Sequence, residues 1–587
     1  MTQKNLVTDY FSLHNAKQFK ESISEPANNI YYVFAGRSSP YSNLNDDVAN
    51  VVNSNFEVNI NSYKQMVFGK KVSNTDVKIM VPRYDWVANT TYTSFRSNTD
   101  LSACNYYAVV NAISNFHVFK VLDNNNDSPS TVPPNFAETG ADDEYYRTSD
   151  GYVWKYMYTI DRGNFDKFAT ENFIPVIPNS NVSSNAISGA IDLITLSYNG
   201  SNYNTYFANT FLSSDISIGG DETLYNLANN ANSSNNFYNN SYLYISGGKG
   251  IGQIRKIVGY SVSGSQKIVQ LESIFTVTPD STSSYEITPS VDIVGDGSGA
   301  IARAVVNTNS SNSISKIEII ERGSGYTYAS ANVIGNTGGI SNAATLEVIL
   351  GPKGGHGYDA EAELGGKYLG ISVTFANSES NTISVENDFR TFGLIKDPLF
   401  ANVTLIIDVP TGVYTVNETV IQQNTNASGI IDEITPSTLK LSNVSGIFTD
   451  SKVVVGQTTN ATANVFSYEI NGITKNFNTF DNRHKFTYTS SSGTFKEDEL
   501  VYQTATALSN AFFHSNDANY IYLTDKKGTF NPGNTIIGTN SSAFASLLSY
   551  YPPDIVEGSG EVLYIENVDP IERSIDQSET IKLILKF

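Results

Sequence analysis

The side chains that could do chemistry in this chain are few and scattered. His14, His117, His356, His484 and His514 are its five histidines. None pairs in an HExxH or similar spacing, so a zinc hydrolase lacks its ligand set. Cys104 is the single cysteine, which excludes an intramolecular disulfide and a cysteine-based zinc cluster. No G-x-S-x-G elbow precedes a helix. Glu361 and Glu363 form a carboxylate pair of the type a glycosidase uses, but spacing in sequence does not establish spacing in space. His356 stands among glycines in Gly354-Gly355-His356-Gly357-Tyr358-Asp359, a composition that shapes a loop. Asp296-Gly297-Ser298-Gly299 lacks the run of acidic ligands that a calcium loop needs and reads as a turn. Gly36-Arg37-Ser38-Ser39-Pro40 follows a strand but has too few glycines and no following helix for a phosphate loop. Arg83 and Asp85 are spaced to share one side of an extended segment beside Trp86, as a structural ion pair. These residues predict no catalytic centre, no cofactor and no metal, and hence no enzyme.

Composition narrows the class further. The 587 residues carry a net charge of -21, with 37 basic against 58 acidic side chains. A general nucleic-acid surface needs a basic footprint and is not expected. An acidic surface suits solubility or docking onto basic partners. No apolar run approaches the length of a membrane span, roughly 18 residues, and the N-terminus has no uninterrupted apolar core of a signal peptide. The 36 Tyr, 31 Phe and 42 Gly, set between Asn/Ser/Thr-rich turns, predict a mainly β, multidomain protein with a few short helices.

The elements follow from periodicity. A short helix is expected within residues 1–29, with Phe11, Phe19 and Ile23 on its face. Strands are expected at Ile30–Phe34 and Val77–Val81, and a long strand or hairpin over Tyr106–Leu122. Asp150-Gly151 forms a turn that launches a strand with Tyr152, Trp154, Tyr156 and Tyr158 on one face. That stripe reads as packed core or a subunit contact rather than a stacking platform. At the C-terminus, Val562–Glu566 reads as a short strand closed by Asn567, Asp569 and Pro570. Ile581, Leu583, Leu585 and Phe587 then alternate with Lys582 and Lys586, the period of a strand with one buried face.

Four of these stretches lie in a fixed order: FAGRSSPYS (34–42), VPRYDW (81–86), DGYVWKYMYTI (150–160) and EVLYIENVDPIERSIDQSETIKLILKF (561–587). Together they resemble the dimeric baseplate wedge subunit of T-even-type contractile-tailed bacteriophages, and FRTFGLIKDPLF (389–400) is similar to a further segment of that family. The resemblance covers about residues 1–180, a piece near 355–400 and 552–587. It rests on Gly36, Arg37, Pro40, Pro82, Arg83, Asp85, Trp86, Asp150, Gly151, Tyr152, Trp154 and Tyr156. At the C-terminus it rests on Tyr564, Glu566, Asn567, Pro570, Asp576, Gln577 and Phe587. It implies an antiparallel β-sandwich core and a homodimer that contacts other baseplate wedge subunits. It also implies a place in the virion's tail baseplate after synthesis in the host cytoplasm.

Two stretches fall outside the resemblance. In 181–350, Ile194–Tyr203 echoes Ile317–Tyr326, and Val291–Gly295 echoes Ala331–Gly335, as short strands in a tight sandwich or solenoid. In 401–551, Glu418–Gln422 matches Glu499–Gln503. Leu439, Leu441, Gly446, Phe448, Val455, Gly456, Ala461 and Ala463 then match Ile521, Leu523, Gly528, Phe530, Ile537, Gly538, Ala543 and Ala545. That is a small β-module present twice. The expected division is therefore 1–180 as N-terminal core, 181–350 as inserted β-region, 351–400 as return to the core, 401–551 as the two-copy insertion and 552–587 as closing strands. The alternative function is a tail protein that holds host-surface glycan through these inserts.

Overall fold

The structure, a computed structural model, describes residues 8–25, 29–37, 62–96, 99–135, 145–203, 207–334, 342–377, 379, 383, 385, 387–445, 448–473, 478–504, 506–531 and 533–587. It is mainly β, with several sheets, two closed six-stranded barrels and a few helices. Two compact units are formed, residues 1–79 with 367–587, and residues 80–366.

The first unit is built on a five-stranded sheet. Its order is Thr479–Asp481, Met66–Lys71, Tyr31–Gly36, Asn387–Lys396, Glu561–Arg573. Tyr32, Phe34, Met66, Ile395, Phe400, Phe480, Ile555, Val562 and Ile565 make its core. A helix, Asp9–Ser24, is capped by Thr8, whose hydroxyl accepts from the Phe11 N–H. Its buried face is Ser12, Leu13, Ala16 and Ile23, while Phe11 is exposed. The face expected from Phe11 is therefore turned, because Leu13 and Ala16 lie on the side that packs.

Glu561–Arg573 is one strand, not a short strand closed at Pro570. The register against Asn387–Lys396 jumps between Phe389↔Ile571 and Thr391↔Asn567. Residues 568–570 therefore bulge out opposite Arg390, and the strand lies at the sheet edge. An edge bulge is where a strand tolerates proline, which has no N–H to give. Ser578–Lys586 pairs along its whole length with Tyr368–Ala376. Ile581 and Leu583 are buried on its inner face, while Leu585 and Phe587 are half-buried.

The two sequence repeats each close into a barrel. The first runs from Phe400–Ile407 to Thr462–Ile473, the second from His484–Ser492 to Phe544–Tyr551. The repeated residues take the same roles. The Glu418 carboxylate accepts the N–H groups of Thr415, Thr458 and Thr459 at 2.7, 3.2 and 3.1 Å. Glu499 does so with Lys496, Asn540 and Ser541 at 2.8, 2.9 and 2.9 Å. Gly456 and Gly538 face these carboxylates, and a Cβ there would meet an oxygen at 2.7 and 2.4 Å. Gln422 exchanges both amide hydrogen bonds with the backbone of Thr449, as Gln503 does with Asn531.

The segment between the barrels belongs to the core sheet. Phe480 is fully buried against Tyr32 and Phe400, and Gly69 is the residue that leaves room for its ring. Asp481 is buried with Arg483 and Lys485 on its carboxylate. Replacing 401–473 alone with a short linker is therefore expected to leave a soluble, cooperatively melting chain, since Phe400 and Ile473 are paired neighbours. Replacing all of 401–551 removes Phe480 and Asp481 and is expected to leave an insoluble product. Equal solubility of the two deletions would show that this strand is dispensable.

In the second unit, a four-stranded sheet has the order Tyr107–Ala112, Asn115–Asp123, Val153–Asp161, Tyr145–Arg147. The first two form a hairpin that turns at exposed Ile113, with φ 62°. Ile191–Tyr198 pairs with Thr345–Leu350. A nine-stranded sheet occupies most of 207–334. Two of its strands, Ser284–Gly295 and Ser313–Ser324, are 12 residues long, so this region is not built of short strands only. The echoed segments pair with each other antiparallel, Val291 opposite Val333 and Ile293 opposite Ala331. A solenoid stacks its repeats in one sense, and this pairing is not that. Asp296 closes a turn by accepting the N–H groups of Thr327 and Tyr328 at 2.8 and 3.1 Å, and with the Thr327 hydroxyl they draw its carboxyl down to about 2.

Candidate functional site

The residues that carry the resemblance do not converge on one pocket. Gly36 and Arg37 end the strand Tyr31–Gly36. Arg37 has φ 54°, and its N–H reaches Gln65 O at 2.8 Å. Pro40 lies outside the described residues. The Pro82 carbonyl accepts the Tyr107 hydroxyl at 2.6 Å. Arg83 binds Asp85 through Nε and Nη2, at 2.9 and 2.7 Å, and gives Nη1 to Thr170 O at 3.1 Å. At the C-terminus, the Tyr564 hydroxyl donates to Glu566 and Thr391 donates to Asn567 Oδ1 at 3.1 Å. Asp576 and Gln577 are exposed in the last turn.

Within the second unit, several of them make one frame. Asp150 Oδ2 accepts the N–H groups of Thr131 and Val132 at 2.7 and 3.0 Å and the Ser130 hydroxyl at 3.1 Å. Burial opposes its charge, but the Thr148 hydroxyl and the N–H groups of Val132, Thr131 and Tyr152 outweigh it and hold the carboxyl below its ordinary value. Trp86 Nε1 donates to the same Ser130 hydroxyl at 3.2 Å. The Tyr152 hydroxyl donates to Ser128 O and accepts the Tyr92 N–H. Tyr152 stacks on Trp154 at 5.4 Å, and Tyr92 meets Trp154 edge-on at 5.6 Å. Gly151 takes φ 92° at the turn, where the Asn125 side chain leaves no space for a Cβ. Tyr152, Trp154, Tyr156 and Tyr158 are all buried within the chain. The aromatic strand is core and does not supply an exposed contact for a second subunit.

A second cluster in this unit was only half visible in the sequence. Lys120, on the strand Asn115–Asp123, is fully buried and donates to Glu363. Glu363 ends the short helix Ala360–Glu363. Its Oε1 accepts the Gly357 and Asp359 N–H groups at 2.8 and 3.3 Å, and Oε2 accepts Gly357 at 3.0 Å. His356 is buried against Phe95, ring centroids 5.4 Å apart, and neither ring nitrogen has a hydrogen-bond partner. Its Nε2 lies 3.9 Å from Asp192 Oδ2, and Arg322 Nε lies 3.8 Å from Asp192 Oδ1. Desolvation, reinforced by Lys120, Lys155 and Arg322, keeps the imidazole neutral. Desolvation also pushes the Asp192 carboxyl up. Glycines at 354, 355 and 357 take φ of 91°, 99° and 89°, which lets the loop fold tightly over its own histidine.

Sequence reading singled out His356 and Glu363 by loop composition and carboxylate pairing. It missed Lys120, Asp192 and Arg322, which carry no local signal and meet only through the fold. The cluster brings proton-carrying groups and fixed charge together in a dry interior. Among the described residues, no group of three or more His, Cys, Asp or Glu side chains is placed to hold a metal ion. No described helix is long and apolar enough to cross a membrane. No family model matches the chain, and no curated protein matches it.

Proposed function

We propose that the protein is a structural subunit of a contractile phage tail baseplate. It acts as a dimeric wedge component that links the peripheral, short-tail-fibre side to the inner wedge. It takes part in tail assembly and in the baseplate rearrangement at infection, and it resides in the virion after synthesis in the host cytoplasm. Its core would be sandwich-like, with the barrels and the nine-stranded sheet as insertions. The observation that supports this reading is the use made of the resemblance-bearing residues. Asp150, Trp86, Tyr152 and Trp154 hydrogen-bond and stack on one another and their neighbours, and so set the shape of a rigid body. An adaptor passes a rearrangement on through its interfaces and needs such rigidity.

The purified chain is expected to run as a dimer by native mass spectrometry at micromolar concentration, and to co-elute with neighbouring wedge subunits. Two-fold dimers are the commonest closed assembly. A monomer that binds none of those subunits would overturn the proposal.

One observation favours a second reading, host-surface glycan binding. Phe466 and Tyr468 stand two apart on one strand face of the first barrel, 64% and 40% exposed. Leu548, the counterpart of Phe466 in the repeat, is 50% exposed. A glycan array probed with the full chain and with Phe466→Ala separates the readings. Binding lost with the phenyl ring would favour the second.

A further inference from the structure

Lys120 and Glu363 have a surrounding that goes beyond an ion pair. Both side chains are sealed from solvent, at 0% and 3% exposure. The Lys120 Nζ also lies 4.2 Å from the centroid of the Phe95 ring, the ring that His356 packs on from another position. Removing two charges from water is expensive, and their attraction repays it only in part. Burial accordingly draws the lysine down from its ordinary value, against the opposing pull of Glu363. The other carboxylate oxygen, Oε1, receives two backbone N–H groups, from Gly357, which it shares with Oε2, and from Asp359. Fixed N–H donors around one carboxyl oxygen are the arrangement that stabilises a tetrahedral acyl intermediate. The amine and the carboxyl carbon are held together by the fold, so their encounter is intramolecular.

We propose that Lys120 and Glu363 form an intramolecular isopeptide bond. The Lys120 ammonium gives one proton to Glu363 Oε2, with which it is in contact. The neutral Nζ then attacks Glu363 Cδ through its lone pair. Negative charge in the intermediate falls on Oε1, facing the Gly357 and Asp359 N–H groups. A second proton passes from Nζ to Oε2, and the Cδ–Oε2 bond breaks to release one water. Ammonium and carboxylate become amide and water, with no oxidant, metal or other reactant. The product replaces two buried charges with one neutral amide. It ties the strand Asn115–Asp123 to the helix Ala360–Glu363, and so closes residues 120–363, including the nine-stranded sheet, into one covalent ring.

The test is the intact mass of the full-length protein, followed by peptide mapping after denaturation. The wild-type chain is expected to be lighter than its sequence by one water, with Lys120 and Glu363 recovered on one branched peptide. Lys120→Met and Glu363→Ala are each expected to restore the full sequence mass. A wild-type mass equal to the sequence, with the two residues on separate linear peptides, would overturn the proposal and leave an ion pair only. A water lost elsewhere, as by cyclisation at Asp150-Gly151 or Asp296-Gly297, would also leave separate peptides and overturn it. The decisive measurement is made on the wild type, so it stands even if a variant fails to fold. It is independent of the dimer and of any wedge partner.

Discussion

Truncation after Ser578 is expected to abolish folding of the unit formed by residues 1–79 and 367–587. The lost segment supplies the strand partners of Tyr368–Phe375 on one side. It also removes the buried Ile581 and Leu583, each worth up to about 1.5–3 kcal/mol. Phe587 leaves the Phe19 ring, 5.6 Å away. A second loss is larger than it looks. Glu579 is the counter-charge of Arg573, whose side chain is 1% exposed. Without it the guanidinium still reaches the Phe375 and Asn377 carbonyls, at 3.3 and 3.0 Å, but loses the Glu579 carboxylate. Breaking one half of a buried pair costs roughly 3–5 kcal/mol. The sum is comparable with the whole stability of a domain, about 5–15 kcal/mol. Leu583→Asp probes the same face without shortening the chain, by burying an unpaired carboxylate. Lys586→Ser, exposed on the outer face, should leave the melting temperature nearly unchanged. Equal losses in Leu583→Asp and Lys586→Ser would mean that the register is wrong.

Acidification is expected to open the second barrel before the first. His484 and His514 lie in the second barrel, and the first has no histidine. Burial pushes both imidazoles down to about 3. His484 gives or takes a hydrogen bond with the Tyr550 hydroxyl at 2.8 Å, and His514 with the Ser515 hydroxyl at 2.9 Å. In the unfolded chain they titrate near 6.5. Between these values the unfolded chain binds more protons, so stability is fully present above pH 6.5 and falls as pH drops toward 3. At about pH 4.5 each histidine costs up to roughly 2.7 kcal/mol. Asp554 works the other way. Desolvation pushes its buried carboxyl up to about 6, while it accepts the Asp481 N–H at 2.7 Å. Its charge costs stability above pH 6, and protonation returns roughly 2 kcal/mol by about pH 4.5. The histidines win by roughly 3 kcal/mol. Glu418 and Glu499, equivalent carboxylates held below their ordinary values, act alike in the two barrels and cancel in the comparison. Amide exchange on the full chain should therefore quicken in 484–551 before 403–473 as pH falls from neutral. His484→Gln with His514→Gln should remove the difference. Equal acid sensitivity of the two barrels in the wild type would sink this account.

What the sequence made legible followed from local order. The alternation at Ile581, Leu583 and the lysines was readable because an edge strand leaves one face wet. The duplicated module was readable because Glu418 and Glu499, with Gly456 and Gly538, are bound to their positions by one short carboxylate network each. Pro570 misled because a proline in a bulge has the same composition as a proline in a turn, and only the partner strand tells them apart. The strand Thr479–Asp481 was read as part of an insertion, since three residues carry too little pattern to declare a core strand. Lys120 and Glu363 are 243 positions apart, and no local rule connects such a pair.

The closed barrels have a consequence for how such a chain can grow. Each barrel is entered and left at neighbouring paired residues, Phe400 opposite Ile473 and Lys485 opposite Tyr551. Each also hydrogen-bonds its first strand to its last, so it exposes no open sheet edge of its own. Unequal crossing-over in the gene can then add or drop a whole copy in frame without leaving a sticky strand behind. Relatives of this chain are then expected to differ in module number while keeping the strand Thr479–Asp481, whose Phe480 fills the core of the five-stranded sheet.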